Sequence, residues 1–263
     1  MKLLSYNIWI KINNSKKVGE FIKKHDFDIV LLQENLRNLE DKVFDKYKTD
    51  SVIKSIIANK YPYSFFAPLL CMSKIKSNDE VRLDFNGYVE QWNQILSKYP
   101  ISSATNEFFY WNYELKFDWS DFEKNDHFRS ILVSEVKIWD KKIQIINIHW
   151  TYSKDKLDSE RWFLQCEKIL EITRRNNLPT IIAGDFNLFP STKAINVLSK
   201  KFKNLIWEYN ITSTRPDFKD YLDEGNNVVD YIFVDEKIKV NSFQVLNTDI
   251  SDHLPLILDF DII

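Results

Sequence analysis

Polar residues of complementary type stand where apolar runs of this 263-residue chain begin or end. Asn7 closes KLLSYN, Glu34 follows the run in DIVLLQEN, and His149 closes IQIINIH. Asp185 and Asn187 follow TIIAG, Asp230 opens DYIFV, and Asp252 and His253 precede LPLILDF. A carboxylate beside a buried strand is costly unless it is hydrogen-bonded or faces a cation. Each residue alone has an ordinary structural reading: a hydrogen-bonded Asn7, a satisfied core imidazole at His149, an Asx-type turn at GDFN, a cap or loop at SDH. Together they supply carboxylates, amides and two imidazoles, with no candidate serine or cysteine nucleophile. That set suits hydrolysis by metal-activated water. Mg²⁺ takes hard oxygen ligands and commonly keeps several waters, and Mn²⁺ can stand in for it. Two imidazoles without suitable cysteines do not make a structural zinc site. Phosphoester cleavage needs charge compensation on phosphoryl oxygens, an oriented water and a stabilised leaving oxygen; a cation, imidazoles and amide N–H donors supply these together.

These side chains must be carried by buried strands. Continuous apolar runs bounded by polar residues, the pattern of strands covered on both faces, predict strands at Lys2–Asn7, Asp28–Gln33, Gln94–Ser97, Ser130–Ile138, Lys142–His149, Thr180–Ala183, Val229–Val234 and Leu256–Asp259. Helical periodicity predicts helices at Ser15–Lys24, Ser51–Asn59, Asp158–Arg175, with Asp158 as N-cap, and Ser191–Lys200. Alternating strands and helices without a Gly/Ser/Pro linker imply one layered α/β domain over residues 1–263. Two segments read as irregular. Cys71–Trp92 is polar and mixed. Thr105–Phe128 sets aromatics among acidic residues, either as an arm on the sheet edge or as a substrate-facing lobe that repels a polyphosphate backbone.

Composition narrows the function. The chain is 44% hydrophobic, 28% charged and 15% aromatic, with only four glycines. Scarce glycine leaves no glycine-rich phosphate cradle. A net charge of −2 is not the basic excess of a protein that grips duplex DNA broadly. Cys71 and Cys166 are too few for a disulfide framework and read as reduced thiols. The N-terminal apolar run that begins in MKLLSYNIWI is interrupted by Ser5, Asn7 and the following Lys11 and lacks a cleavage site, and no segment has the length of a membrane span. The expectation is a soluble, cytoplasmic protein.

The stretches LLSYN, DIVLLQEN, QILSKYPI, INIHW, ERWFLQ, IIAGDFNLFP, VVDYIFV and SDHLPLIL, in this order and over nearly the whole chain, resemble the endonuclease/exonuclease/phosphatase superfamily. The resemblance implies a four-layered α/β sandwich, two facing mixed sheets flanked by helices, and divalent-metal hydrolysis of a phosphoester, usually with Mg²⁺. It implies Glu34 as the main metal ligand, with Asn7 and Asp252 close to the ion. It implies that Asp185 orients or deprotonates the attacking water, that Asn187 donates to phosphate oxygens and that His149 contacts the phosphate from the opposite side. Asp230 then pairs with His253, which stabilises the pentavalent phosphorus.

The chain departs from the family pattern around the substrate. Where relatives often carry a Gly-Asn-type pair, it reads Gln91-Trp92-Asn93-Gln94, so bulky Trp92 is expected to reshape the substrate rim. Trp150 and Tyr152 follow His149 and either stack on a base or sugar or simply pack. The substrate is a small-molecule or lipid phosphoester, or a nucleic acid. A catalytically inactive relative serving as a binding module would be marked by loss of Glu34, Asp185, Asn187 or His253, and all four are present.

Overall fold

Side chains alternate along a strand, so a strand covered on both faces sends successive residues into two different cores. β1 (Lys2–Asn7) and β2 (Ile29–Asn38) do this in the computed structural model, which describes residues 1–9, 14–77, 80–109, 114–115, 129–150, 156–216 and 227–263. Leu3, Ile29 and Leu31 enter a core shared with the second sheet, while Leu4, Tyr6, Val30 and Leu32 enter another against helices. The remaining strands are β3 (Tyr63–Ser77), β4 (Glu80–Ser97), β5 (Ile101–Phe108), β6 (Glu114–Leu115), β7 (Ser130–Ile138), β8 (Lys141–His149), β9 (Thr180–Asp185), β10 (Lys203–Asn204), β11 (Asp230–Val234), β12 (Ile238–Val245) and β13 (Leu256–Ile262). The helices are α1 (Ser15–His25), α2 (Thr49–Ile57), α3 (Glu160–Arg174), α4 (Lys193–Ser199) and α5 (Leu205–Glu208).

One sheet has the order β12-β13-β1-β2-β4-β3-β6, the other β10-β11-β9-β8-β7-β5. Both are mixed: β1–β2 and β8–β9 are parallel, and their other neighbours run antiparallel. Ile143, Ile145 and Ile181 of the second sheet share a core with Leu3, Leu31 and Ile95 of the first. α1 and α2 cover the first sheet through Val18, Ile22, Ile53 and Ile57. α3 and α4 supply Trp162, Cys166, Ile169, Ala194 and Leu198 to the core of the second. This is the four-layered sandwich that the family resemblance implied. No described helix is long and apolar enough to cross a membrane.

Several expectations change. Cys71–Trp92 is not irregular but most of the β3–β4 hairpin. Register shifts at Pro68/Leu70, Met72/Lys74 and Ile75/Lys76 break the period-two pattern by which a strand is recognised. β5 and β12 are edge strands whose mixed burial left no continuous apolar run. Asp158 does not cap α3. Its carboxylate accepts from the backbone N–H groups of Lys193 and Ala194 at 2.7 and 2.9 Å, capping α4 instead. Of the acidic aromatic segment, Thr105–Phe108 belongs to β5, and residues 110–113 and 116–128 lie outside the described residues.

Candidate active site

Three adjacent strands set a row of side chains at one end of the six-stranded sheet. His149 of β8 lies opposite Asp185 of β9, and Asp185 lies opposite Asp230 of β11. In the facing sheet Asn7 ends β1 in register with Gln33 of β2. Glu34 comes next and leaves the regular pleat. It has φ 57°, and the β2–β4 register shifts between Leu32 and Asn35. Two residues of β2 thus oppose one of β4, a bulge that re-aims the Glu34 side chain. Asn7 Nδ2 then reaches both carboxylates, Glu34 Oε1 at 3.3 Å and Asp185 Oδ2 at 3.1 Å.

The SDH loop is tied to the same point. Ser251 Oγ donates to the Asn7 carbonyl at 2.8 Å and accepts from the His253 backbone N–H at 3.3 Å. The Asx turn read from GDFN is present as well: the Asn187 N–H donates to Asp185 Oδ1 at 2.8 Å. Asn187 sits at φ 51°, a left-handed conformation that asparagine tolerates better than most residues. Its Nδ2 donates to the Trp150 carbonyl at 3.1 Å, which leaves the second amide hydrogen for another acceptor. Asn7, Glu34, His149, Asp185, Asn187, Asp230, Asp252 and His253 are therefore gathered at one end of the sandwich, all buried except Glu34, which is partly exposed.

Burial and charge divide the two imidazoles. Burial, helped by the charges of Arg129 and His253, lowers His149, and its neighbours Asp185 and Glu34 do not offset this, so it falls to about 4. Burial also opposes a charged His253, but Asp230, Asp185 and Asp252 outweigh it and lift the group to about 9. His253 Nδ1 lies 3.0 and 2.9 Å from the two oxygens of Asp230, and Thr214 Oγ1 donates to Asp230 Oδ2 at 2.8 Å. Burial pushes Asp230 up while His253 pulls it down, and the close pairing favours the charged imidazole. Burial pushes Asp185 up, but His253, His149, Lys156 and Arg215 pull harder and hold it well below the usual carboxylate range. Burial pushes Asp252 up. A raised imidazole contributes stability that is complete below its ordinary value of 6.5 and is lost as pH rises through about 9. In the metal-free protein the stability difference between wild type and His253→Gln should accordingly shrink across that window, as read by urea unfolding at successive pH values.

Two cations at the site were not singled out from the sequence. Lys156 Nζ donates to Asn187 Oδ1 at 3.3 Å, and Arg215 Nη2 lies 3.1 Å from His253 Nε2. Both belong to loops, where no periodicity marks a residue. The nearest signal is the turn-like TSTRP ahead of VVDYIFV.

The proposed substrate aromatics fare differently. Trp150 is fully buried and packs edge-on against Phe186 in the hydrophobic core. It follows a strand whose last backbone groups are still paired, its own N–H donating to the Asp185 carbonyl at 2.8 Å, so it packs and does not meet substrate. Trp150→Ala should cost about 3–5 kcal/mol of stability, and Trp150→Phe should leave KM unchanged. Trp92 is only 2% exposed and forms no rim. Its indole stacks on the His149 ring, with centroids 4.4 Å apart and planes 14° apart. Tyr152 lies outside the described residues.

The donors fit a hard divalent cation. A single neutral amide, Asn7, separates the Glu34 and Asp185 carboxylates, and Asp252 Oδ1 stands 3.9 Å from His253 Nε2. Carboxylate and amide oxygens are the ligands that Mg²⁺ prefers. No thiolate competes: Cys71 and Cys166 are buried in the core, and burial pushes the Cys166 thiol up to about 12. Among the described residues, Asp185, Asp230 and His253 form a group with ligand atoms within 4.8 Å of one another. Asp230 and His253 are committed to each other, which leaves Asp185 as the member of that group facing Glu34 through Asn7.

Solved structures share this architecture. An endonuclease/exonuclease/phosphatase family protein from Leptotrichia buccalis aligns with a TM-score of 0.71 at 17% identity, covering 99% of each chain. The human Nocturnin catalytic domain aligns at 0.67 with 16% identity, covering 100% of this chain and 93% of that one. A mannosyl-6-phosphatase from Bacteroides thetaiotaomicron aligns at 0.64 with 17% identity, covering 99% of each. At these identities the likeness shows the fold. No curated protein sequence matches the chain. A sequence model does, over residues 4–253, and the chain belongs to the Endonuclease/Exonuclease/phosphatase family, whose members are metal-dependent phosphoester hydrolases.

Proposed function

We propose that this protein hydrolyses a phosphoester, phosphodiester or phosphomonoester, by in-line attack of water, with Mg²⁺ as its cation. The observation that carries the reading is the meeting of two units at one end of the sandwich: the Glu34–Asn7–Asp185 set and the Asp230–His253 pair. Glu34 would hold the ion, with Asn7 and Asp252 close to it. When bound, the ion supplies Lewis-acid charge to a phosphoryl oxygen.

The chain's own groups divide the remaining work. Asp185 stays ionised at neutral pH and accepts a proton from the attacking water. The second amide hydrogen of Asn187 donates to a phosphoryl oxygen as charge builds. The His253 imidazolium, oriented by Asp230 through Nδ1, offers Nε2–H to the same phosphoryl group. His149, neutral in its buried position, contacts the phosphate from the other side. Arg215, whose Nη2 lies 3.1 Å from His253 Nε2, would add a second positive charge beside that phosphoryl group.

Cleavage of bis(p-nitrophenyl) phosphate should require Mg²⁺, stop with EDTA and resume with excess Mg²⁺. Turnover that persists in EDTA would end the metal-dependent reading. Substrate class is read from a panel of abasic duplex DNA, single-stranded DNA and RNA, a 5′-tyrosyl end, phosphoinositides, sphingomyelin and sugar phosphates. The net charge of −2 favours a small-molecule or lipid phosphoester over duplex DNA, whose binding would weaken steeply with added salt.

A further inference from the structure

A functional imidazole is normally held in orientation by a hydrogen bond to its second ring nitrogen. His253 follows this rule, with Nδ1 on Asp230. His149 does not: among the described residues its buried Nδ1 has no hydrogen-bond partner. Its other nitrogen, Nε2, sits 3.5 Å from Asp185 Oδ2 and 3.8 Å from Glu34 Oε1, longer than directed hydrogen bonds. Polar contacts therefore leave the ring's plane unspecified.

An aromatic contact specifies it. The Trp92 indole lies nearly parallel to the His149 ring, at 4.4 Å and 14°. On Trp92 stands the Arg129 guanidinium, 4.8 Å from the ring centroid and itself buried. The indole donor, Nε1, makes no hydrogen bond among the described residues, so nothing polar dictates the pose of Trp92. Its backbone does: Trp92 pairs with Asn35 where the β2 bulge ends. The irregularity that re-aims Glu34 thus also delivers an indole beneath His149. With 2% exposure, Trp92 does not reach substrate.

We propose that Trp92 is a positioning residue for His149: its indole, with Arg129 on the ring, clamps the imidazole in the plane in which Nε2 faces Asp185 and Glu34. Stacking does here what a hydrogen bond to Nδ1 does elsewhere. The catalytic consequence rests on the phosphoester-hydrolase reading above; the clamp itself does not.

The test has two arms. In metal-free, substrate-free protein the His149 ring protons, assigned by their loss in His149→Gln, should resonate upfield of ordinary histidine values because they lie over the indole. Trp92→Phe should reduce that displacement, and Trp92→Met, which fills the space without a ring current, should abolish it. An unchanged His149 signal in either variant overturns the clamp, and Trp92→Phe keeps this readable if Trp92→Met does not fold.

In the second arm, with Mg²⁺ and bis(p-nitrophenyl) phosphate, Trp92→Met should lower kcat by about 10–100-fold, the size of effect expected from losing a group that orients a functional ligand. KM should hardly move, and Trp92→Phe should restore most of the rate. In a His149→Ala background Trp92→Met should cost nothing further, because both changes remove one unit. Full additivity of the two losses would overturn the positioning role. If wild type turns over nothing in the panel, the hydrolase reading fails while the resonance arm still decides whether Trp92 clamps His149.

Discussion

Asp185→Asn is expected to lower kcat on an Mg²⁺-supported phosphodiester by about 10²–10⁴-fold, the usual worth of a positioned general base, with the fold retained. The substitution is nearly isosteric. Its amide oxygen still accepts the Asn187 N–H that now goes to Asp185 Oδ1 at 2.8 Å, so the turn survives. What goes is the proton acceptor and the charge on Oδ2: the new NH₂ faces Asn7 Nδ2, which presently donates there at 3.1 Å, and it no longer attracts His149 Nε2 at 3.5 Å or His253 Nε2 at 3.6 Å. The hydrogen bond to Asn7 is worth about 1 kcal/mol, and the neutral amide is cheaper to bury than the carboxylate it replaces, so the domain stays folded. Circular dichroism and urea unfolding near wild type, beside a collapse of turnover, would separate chemistry from stability. Wild-type kcat in the purified variant would remove Asp185 from the reaction.

Gly184→Ala is expected to be the most damaging small substitution near the site, through stability. Gly184 has φ 141°, and a Cβ built there would stand 1.9 Å from the Ile148 carbonyl oxygen, 2.8 Å from its carbon and 2.9 Å from its nitrogen. These are backbone atoms of a paired strand, Ile148 lying opposite Gly184 and His149 opposite Asp185 in the β8–β9 register. Backbone on both sides of the clash is pinned, so relief requires the two central strands to separate. The expected loss exceeds about 3 kcal/mol, in the range that signals a named steric mechanism, and the Asp185–His149 geometry should go with it. Gly19→Ala is the control. Its Cβ would meet only side-chain atoms of Ile56, Cδ1 at 2.8 Å, Cβ at 3.1 Å and Cγ2 at 3.2 Å, no backbone, and alanine gains up to about 1 kcal/mol of helix propensity to set against that crowding. A thermal midpoint for Gly184→Ala close to that of Gly19→Ala would show the strand pairing to be softer than its register implies.

The site was readable in the sequence because its residues sit at boundaries. Asn7, Glu34, His149, Asp185 and Asp230 mark where an apolar run meets the polar end of the sandwich, and strands parallel or antiparallel in one sheet bring such ends level with each other. Burial alternation in β1 and β2 was equally local: Leu3 and Leu4 face opposite cores because a strand has period two. The β3–β4 hairpin was not legible, because its register shifts interrupt that period. Edge strands β5 and β12 were not legible either, because one side of an edge needs no apolar run.

What the sequence determined by itself is the order of the strands' polar ends and the kinds of groups they carry, since hydrophobic runs and the residues that stop them are properties of neighbouring positions. The tertiary structure decided which neighbour each side chain meets. It turned Glu34 out of its strand at a bulge, buried Trp150, slid Trp92 beneath His149, moved Asp158 to the N-terminus of a different helix and brought Lys156 and Arg215 to Asn187 and His253. Those outcomes depend on register and on contacts between residues far apart in the chain, and local patterning carries no information about either.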